Sequence, residues 1–151
     1  MSGTTPLPGP YRGFSFDIPF VRELGFEMHA FADGVARLHF KPRAEHLNSF
    51  EVVHGGALMT LLDVAMANAA RSVDPDFGVV TIEMKTTFLR PAQGVLTGTG
   101  ELMHRTRQMA FTEARVHDEQ GRVCAHATGT FRYVPRPDHG AAGQPGRPPT
   151  D

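Results

Sequence analysis

The residues best suited to chemistry cluster between His46 and Ser72, in HLNSFEVVHGGALMTLLDVAMANAARS. One acid, Asp63, stands among Leu61, Leu62, Val64 and Ala65, in a run almost free of polar residues from Ala57 to about Ala70. An unpaired carboxylate in such surroundings is costly. It is therefore either bonded within the fold, to a backbone group or to Asn68, or put to work on a ligand. Upstream, Gly55 and Gly56 mark the helix entry, where backbone N–H groups lack intrahelical partners and the dipole is positive. Glycine there admits a carbonyl oxygen closely, which suits an oxyanion-type site. His54 and Asn48 precede the pair, as polar candidates beside it or as ordinary helix-entry and loop residues.

Asp63 lies eight residues beyond Gly55, about 12 Å at the α-helical rise. Both cannot touch one carbonyl carbon. A single helix does not complete the site, whereas two chains with antiparallel helices could set Asp63 of one against Gly55 of the other.

The elements that must hold these residues follow from periodicity. Residues 1–13, rich in Gly, Pro and Thr, are expected to form a flexible arm, and a domain is expected over 14–134. Phe16, Ile18, Phe20, Val21 and Leu24 suit a short helix or turn under the main body. The runs 26–30 and 35–40 flank Ala32-Asp33-Gly34, a hairpin signal. The helix from Ala57 is apolar on nearly every face, so other structure should wrap it. Val79–Leu89 follows as a strand, with Val80, Ile82, Met84 and Phe88 on one side and Thr81, Glu83, Lys85 and Thr87 on the other. Strands over 94–105, 108–117 and 122–134 complete the order strand–strand–helix–four strands, an α+β arrangement. The economical packing is a curved antiparallel sheet of about six strands around one long helix, with edge strands that invite a second copy. The Pro/Gly-rich stretch 135–151 is expected to be disordered.

With 151 residues and a formal net charge of −1, the chain is one domain without a polycationic face for nucleic acid. It has one cysteine, Cys124, which excludes an internal disulfide and any Cys-rich metal site. The eight histidines form no HxH or HExxH pattern, so no metal is expected. Met1–Pro10 lacks the features of a signal peptide, and no apolar stretch is long enough to span a membrane, so a soluble cytoplasmic protein is expected.

The pattern Asn48-x5-His54-Gly55-Gly56-x6-Asp63, then Thr81-Ile82-Glu83-Met84-Lys85 and Phe88-Leu89-Arg90-Pro91-Ala92, resembles the hotdog-fold acyl-CoA thioesterases of the phenylacetate-pathway (PaaI-like) type. The resemblance spans about residues 20–134. It implies a homodimer joined edge to edge by its sheets, commonly paired again into a homotetramer. It implies hydrolysis of an aryl- or medium-chain acyl-CoA, phenylacetyl-CoA and its hydroxylated forms among them. Asp63 would be nucleophile or general base, and the Gly55 N–H the main donor to the carbonyl, with Gly56 beside it. Asn48 and His54 would lie near the carbonyl and the attacking water, and Thr81 would offer its hydroxyl to that water. Arg90, Arg105 and Arg107 are the candidates for the phosphates of coenzyme A, which is part of the substrate; no cofactor is implied. Thr106 replaces the glycine that relatives often carry between two basic residues at that turn. Phe50, Met59, Met66, Phe77 and Met109 are candidates to line an acyl pocket. The alternative is a hotdog protein that binds acyl-CoA without cleaving it, for which loss of the acid would be expected.

Overall fold

A computed structural model describes residues 5–137. A short helix α1 (Pro19–Leu24) leads into strands β1 (Glu27–Ala32) and β2 (Val35–Phe40). A 3-10 turn (Ala44–His46) precedes the long helix α2 (Gly55–Arg71), and strands β3 (Phe77–Phe88), β4 (Leu96–Arg105), β5 (Met109–His117) and β6 (Val123–Pro135) follow. The strands form one antiparallel sheet in the order β1-β2-β4-β5-β6-β3, and it curves around α2. This is the expected α+β hotdog arrangement.

Local chemistry explains the joints. Asp33 and Gly34 both take positive φ, 54° and 82°, as a two-residue type I′ hairpin requires. The Gly34 N–H donates to Ser72 Oγ at 2.8 Å, which ties the hairpin to the end of α2. Tyr133 on β6 donates its hydroxyl to the Ala70 carbonyl at 2.7 Å and fixes the same end to the far side of the sheet. Between these anchors α2 lies directly on β4, because Gly98 and Gly100 there have no side chains. A Cβ at Gly100 would fall 2.3 Å from the Ala65 carbonyl oxygen, and one at Gly98 would fall 2.8 Å from the Leu61 side chain.

Two expectations change. The strand β3 does not keep one alternation along its length. Thr81 pairs with Phe131 and Glu83 with Thr130, so Ile82 is an extra residue in a β-bulge. The bulge resets the phase: Thr81 and Met84, expected on opposite sides, line the same groove beside α2. Val80 and Ile82 turn outward instead, 41% and 55% exposed. Nor is the described part of the N-terminal segment loose. The Leu7 N–H donates to the Met28 carbonyl, the Met28 N–H to the Arg12 carbonyl, and Phe14 is buried. The disorder expected at 135–151 falls almost wholly outside the described residues, although Pro135 still pairs with Phe77.

The two edges of the sheet therefore differ. The N-terminal segment covers β1 at Met28, while β3 is left bare with its outward apolar side chains. Of α2, a strip of Gly56, Met59, Thr60, Asp63 and Ala67 is not fully covered, so the helix is wrapped on all but one face. In phase with neither neighbour, Cys124 is the extra residue where Val116 pairs with Ala125 and His117 with Val123, and it is fully buried.

Replacing Gly100 by alanine drives a methyl into the backbone of α2. Gly100→Ala should lose about 3 kcal/mol of stability or fail to fold, as read by urea denaturation against the native chain.

Candidate active site

The site begins where the 3-10 turn hands the chain to α2. His46 is buried; its Nδ1 accepts the Arg43 N–H at 3.0 Å, and its carbonyl accepts the His54 N–H at 2.8 Å. Between them residues 47–53 double back as a small loop closed by the Leu47–Val53 bridge. Asn48 organises that loop, its Oδ1 accepting the Phe50 N–H at 2.9 Å and, more weakly, the Val52 N–H at 3.4 Å. With its oxygen so occupied, Asn48 has only its amide N–H groups to offer outward.

His54 is the N-cap of α2. Its Nδ1 accepts the Gly56 N–H at 2.8 Å, so in the neutral ring the proton sits on Nε2 and faces away from the helix. Ala57 and Leu58 donate to the His54 carbonyl. The Gly55 N–H donates to nothing among the described residues. Gly56 thus spends its N–H on the cap, and Gly55 keeps its own. The Phe88 ring closes on this position: a Cβ at Gly55 would lie 3.2 Å from it.

Two turns along the helix, Asp63 Oδ1 accepts the Thr81 hydroxyl at 2.7 Å. Burial pushes the Asp63 carboxyl above its ordinary value, and the Thr81 hydrogen bond draws it partly back. The second oxygen, Oδ2, has no partner among the described residues and borders an open groove of about 660 Å³. Met59, Val64, Ala67, Val79 and Met84 form its apolar walls, the segment Phe16–Val21 its rim, and Arg71 and Arg136 also line it.

Asn48, His54 and Gly55 are thus together at one end of α2, and Asp63 and Thr81 together at its middle. Within one chain the two groups stay apart. The three arginines named for phosphate are not gathered either. Arg105 is engaged, 3.3 Å from Asp74 and over the Tyr133 ring, while Arg107 is exposed in the β4–β5 turn. Arg90 follows β3 at the opposite end of the sheet, where it lines a second hollow with Arg122. Thr106, in place of glycine, accepts the Met109 N–H at 3.0 Å and so makes the turn itself. Of the five apolar pocket candidates, Met59 lines the groove. Met66 is in the core, and Phe50 is 83% exposed at the loop tip. Sequence reasoning gave no site role to Phe88, although it placed it in the family pattern, and passed over Arg71 and Arg136. Of the two arginines only Arg71 carried a signal, as the second charged residue of α2 after Asp63.

No helix among the described residues is long and apolar enough to cross a membrane. No group of three or more His, Cys, Asp or Glu among them could hold a metal ion.

One curved antiparallel sheet around a single long helix is the hotdog arrangement. The sequence profile of the Thioesterase superfamily matches residues 50–125, and the chain belongs to that superfamily. It is a PaaI-like hotdog thioester hydrolase. It is 26% identical over 135 residues to the medium/long-chain acyl-CoA thioesterase YigI of Escherichia coli, covering 78% of this chain and 87% of that one. The fold is similar to that of the conserved protein PA5202 of Pseudomonas aeruginosa, with TM-score 0.75, 29% identity, and 78% and 95% of the chains covered. It is similar also to PaaI of the E. coli phenylacetic acid degradation operon, with TM-score 0.74, 25% identity, and 78% and 86% covered.

The raised affinity of Asp63 for its proton fixes the sign of a stability effect. A folded-state pKa above the unfolded one means the native state holds the proton longer, so stability falls as pH rises from the ordinary aspartate range. At neutral pH the ionised carboxylate is a cost. Asp63→Asn should therefore melt a few degrees above the native protein at pH 7, and the gap should narrow on acidification. Thermal unfolding across that range reads it.

Proposed function

We propose that this enzyme hydrolyses acyl-CoA thioesters at sites shared between two chains of a homodimer. The observation that carries this is the presence on one helix, α2, of a half-bonded carboxylate, Asp63 with Thr81, and an unpaired helix-entry N–H, Gly55. Their separation of about 12 Å along the axis calls for a second, antiparallel helix. The bare edge of β3, with Val80 and Ile82 outward, supplies the place for a second sheet to join. A further pairing into a tetramer, as the resemblance implies, would use other surfaces.

In such a site the thioester oxygen accepts the Gly55 N–H of one chain, and negative charge grows on it as the carbonyl carbon is attacked. Asp63 of the other chain acts in one of two ways. Its carboxylate attacks, forming a mixed anhydride and expelling the thiolate of coenzyme A, and water then cleaves the anhydride. Or it takes a proton from a water that attacks directly. In both, the C–S bond breaks, the thiolate of coenzyme A takes up the proton that the water gives up, and the free acid remains. A carboxylate of raised basicity suits either role. The Thr81 hydroxyl orients Asp63, and the Asn48 amide and His54 Nε2–H are donors at the carbonyl end. No cofactor enters. The acyl group, aryl or medium-chain, lies in the apolar groove; Arg90, beside Arg122, is the best placed of the three arginines for a coenzyme A phosphate. A cytoplasmic location fits such a substrate.

Thiol release from aryl- and acyl-CoA esters tests this. Asp63→Ala and Asp63→Asn should each lower kcat about a hundredfold or more with the dimer intact, and Thr81→Val about tenfold. Binding without thiol release by the native protein would sink the proposal.

The shared site has its own test. Gly55→Pro removes the N–H at the first helical position, where proline is tolerated; His54 already has the extended backbone that precedes proline, and the Phe88 ring must shift by a few tenths of an ångström to admit the new ring. Alone it should lose activity about a hundredfold. Co-expressed with Asp63→Asn, it should form heterodimers with one doubly damaged site and one intact site, and recover activity. Sites built within one chain would recover none.

A further inference from the structure

Two cations in the groove have no part in the hydrolysis described above. Arg71 closes the last turn of α2, and Arg136 follows the end of β6. Both guanidinium groups lie over the Phe16 ring, at 5.3 Å and 3.5 Å from its centre, and Arg71 is 5.5 Å from the Phe31 ring as well. Arg71 donates to one neutral oxygen, Asn68 Oδ1, at 3.0 Å. The Nε of each arginine is buried without a hydrogen-bond partner, and neither forms an ion pair among the described residues.

A cation in the last turn of a helix is favoured by the dipole, which accounts for Arg71 taken alone. It does not account for a second cation against the same ring. Burial, and then the charge of Arg136, hold the Arg71 pKa down to about 10. Aromatic faces offset part of such a cost. An anion would offset far more, and planar guanidinium groups are matched to carboxylate.

The position says where that anion belongs. Arg71 lies eight residues beyond Asp63, about 12 Å along the axis. Helical side chains lean towards the N-terminus, and the bond back to Asn68 shows Arg71 doing so. Its guanidinium therefore stands nearer to Asp63 than the axial rise suggests. Apolar wall from Val64, Ala67, Val79 and Met84 shares the groove with it. That is room for an aromatic ring or a medium chain, with a charge at its end.

We propose that the enzyme selects thioesters whose acyl or aroyl group ends in a second carboxylate, held by Arg71 and Arg136 while the thioester carbonyl sits at Asp63. This rests on Asp63 being the hydrolytic centre. Neutral acyl groups of the same length would leave both cations desolvated and unmatched.

The test is kcat/KM for matched esters: octanoyl-CoA against octanedioyl-CoA, and phenylacetyl-CoA against para-carboxyphenylacetyl-CoA. The native enzyme should favour the carboxylated member by about tenfold or more, through KM. Arg71→Gln and Arg136→Gln should each bring that ratio towards unity, and Arg71→Lys should restore part of it. If Arg71→Gln does not fold, Arg136→Gln decides by the same ratio. A native enzyme that cleaves the neutral esters as well as or better than the carboxylated ones overturns this inference and leaves the thioesterase standing. Failure to cleave either kind would instead remove the hydrolytic proposal, and this one with it. A ratio unchanged in both variants, with a weakened dimer, would show that the arginines hold a protein carboxylate, which also overturns it.

Discussion

A carboxylate set into the most apolar helix of the chain is the constraint around which the molecule is arranged. Among the described residues Asp63 has one partner, Thr81, and that partner comes from the strand that follows the helix in sequence and lies at the edge of the sheet in space. For the hydroxyl to reach, α2 must sit low on the sheet, and it does so because Gly98 and Gly100 give it no side chains to ride on. The strand must also turn Thr81 inward, and the bulge at Ile82 permits this while Met84 still faces the helix. Small residues in one strand and an extra residue in another thus serve the same bond.

The remaining free valences are distributed with similar economy. His54 satisfies Gly56 and leaves Gly55 free; Asn48 gives its oxygen to the loop and keeps its amide N–H groups. Asp63 uses one oxygen and keeps one. What stays unpaired is a donor at the helix entry and an acceptor at its middle, the two polarities that thioester hydrolysis needs. In the proposed reaction the distance between them makes assembly part of the chemistry.

Much of this architecture is legible in the amino-acid order. Apolar periodicity marks α2 to within two residues, the Asp33-Gly34 turn marks the hairpin, and the later strands start and stop within two residues of where Gly, Pro and the Asp118–Gly121 turn place them. The spacing of His54, Gly55, Gly56 and Asp63 carries the family. The phase of β3 was hidden, because β-branched residues alternate through Ile82 as if no bulge interrupted them; only pairing with Phe131 and Thr130 reveals it. Groove residues were hidden for a different reason. Phe16, Arg71 and Arg136 meet from three distant parts of the chain, and no local pattern joins them. The dispersal of Arg90, Arg105 and Arg107 has the same origin, since strand ends adjacent in sequence order lie at opposite ends of the sheet.

The bulge has one more consequence. Just before Ile82 the strand answers to two clients, the helix through Thr81 and whatever covers the outer face through Val80. Substitutions at these positions can tune one without the other. A change in length cannot: removing a single residue would rotate one half of the strand and exchange the two faces at once. Apart from Thr81, drift along β3 is thus freer in side-chain identity than in residue number, so gaps should be rare here even where letters vary.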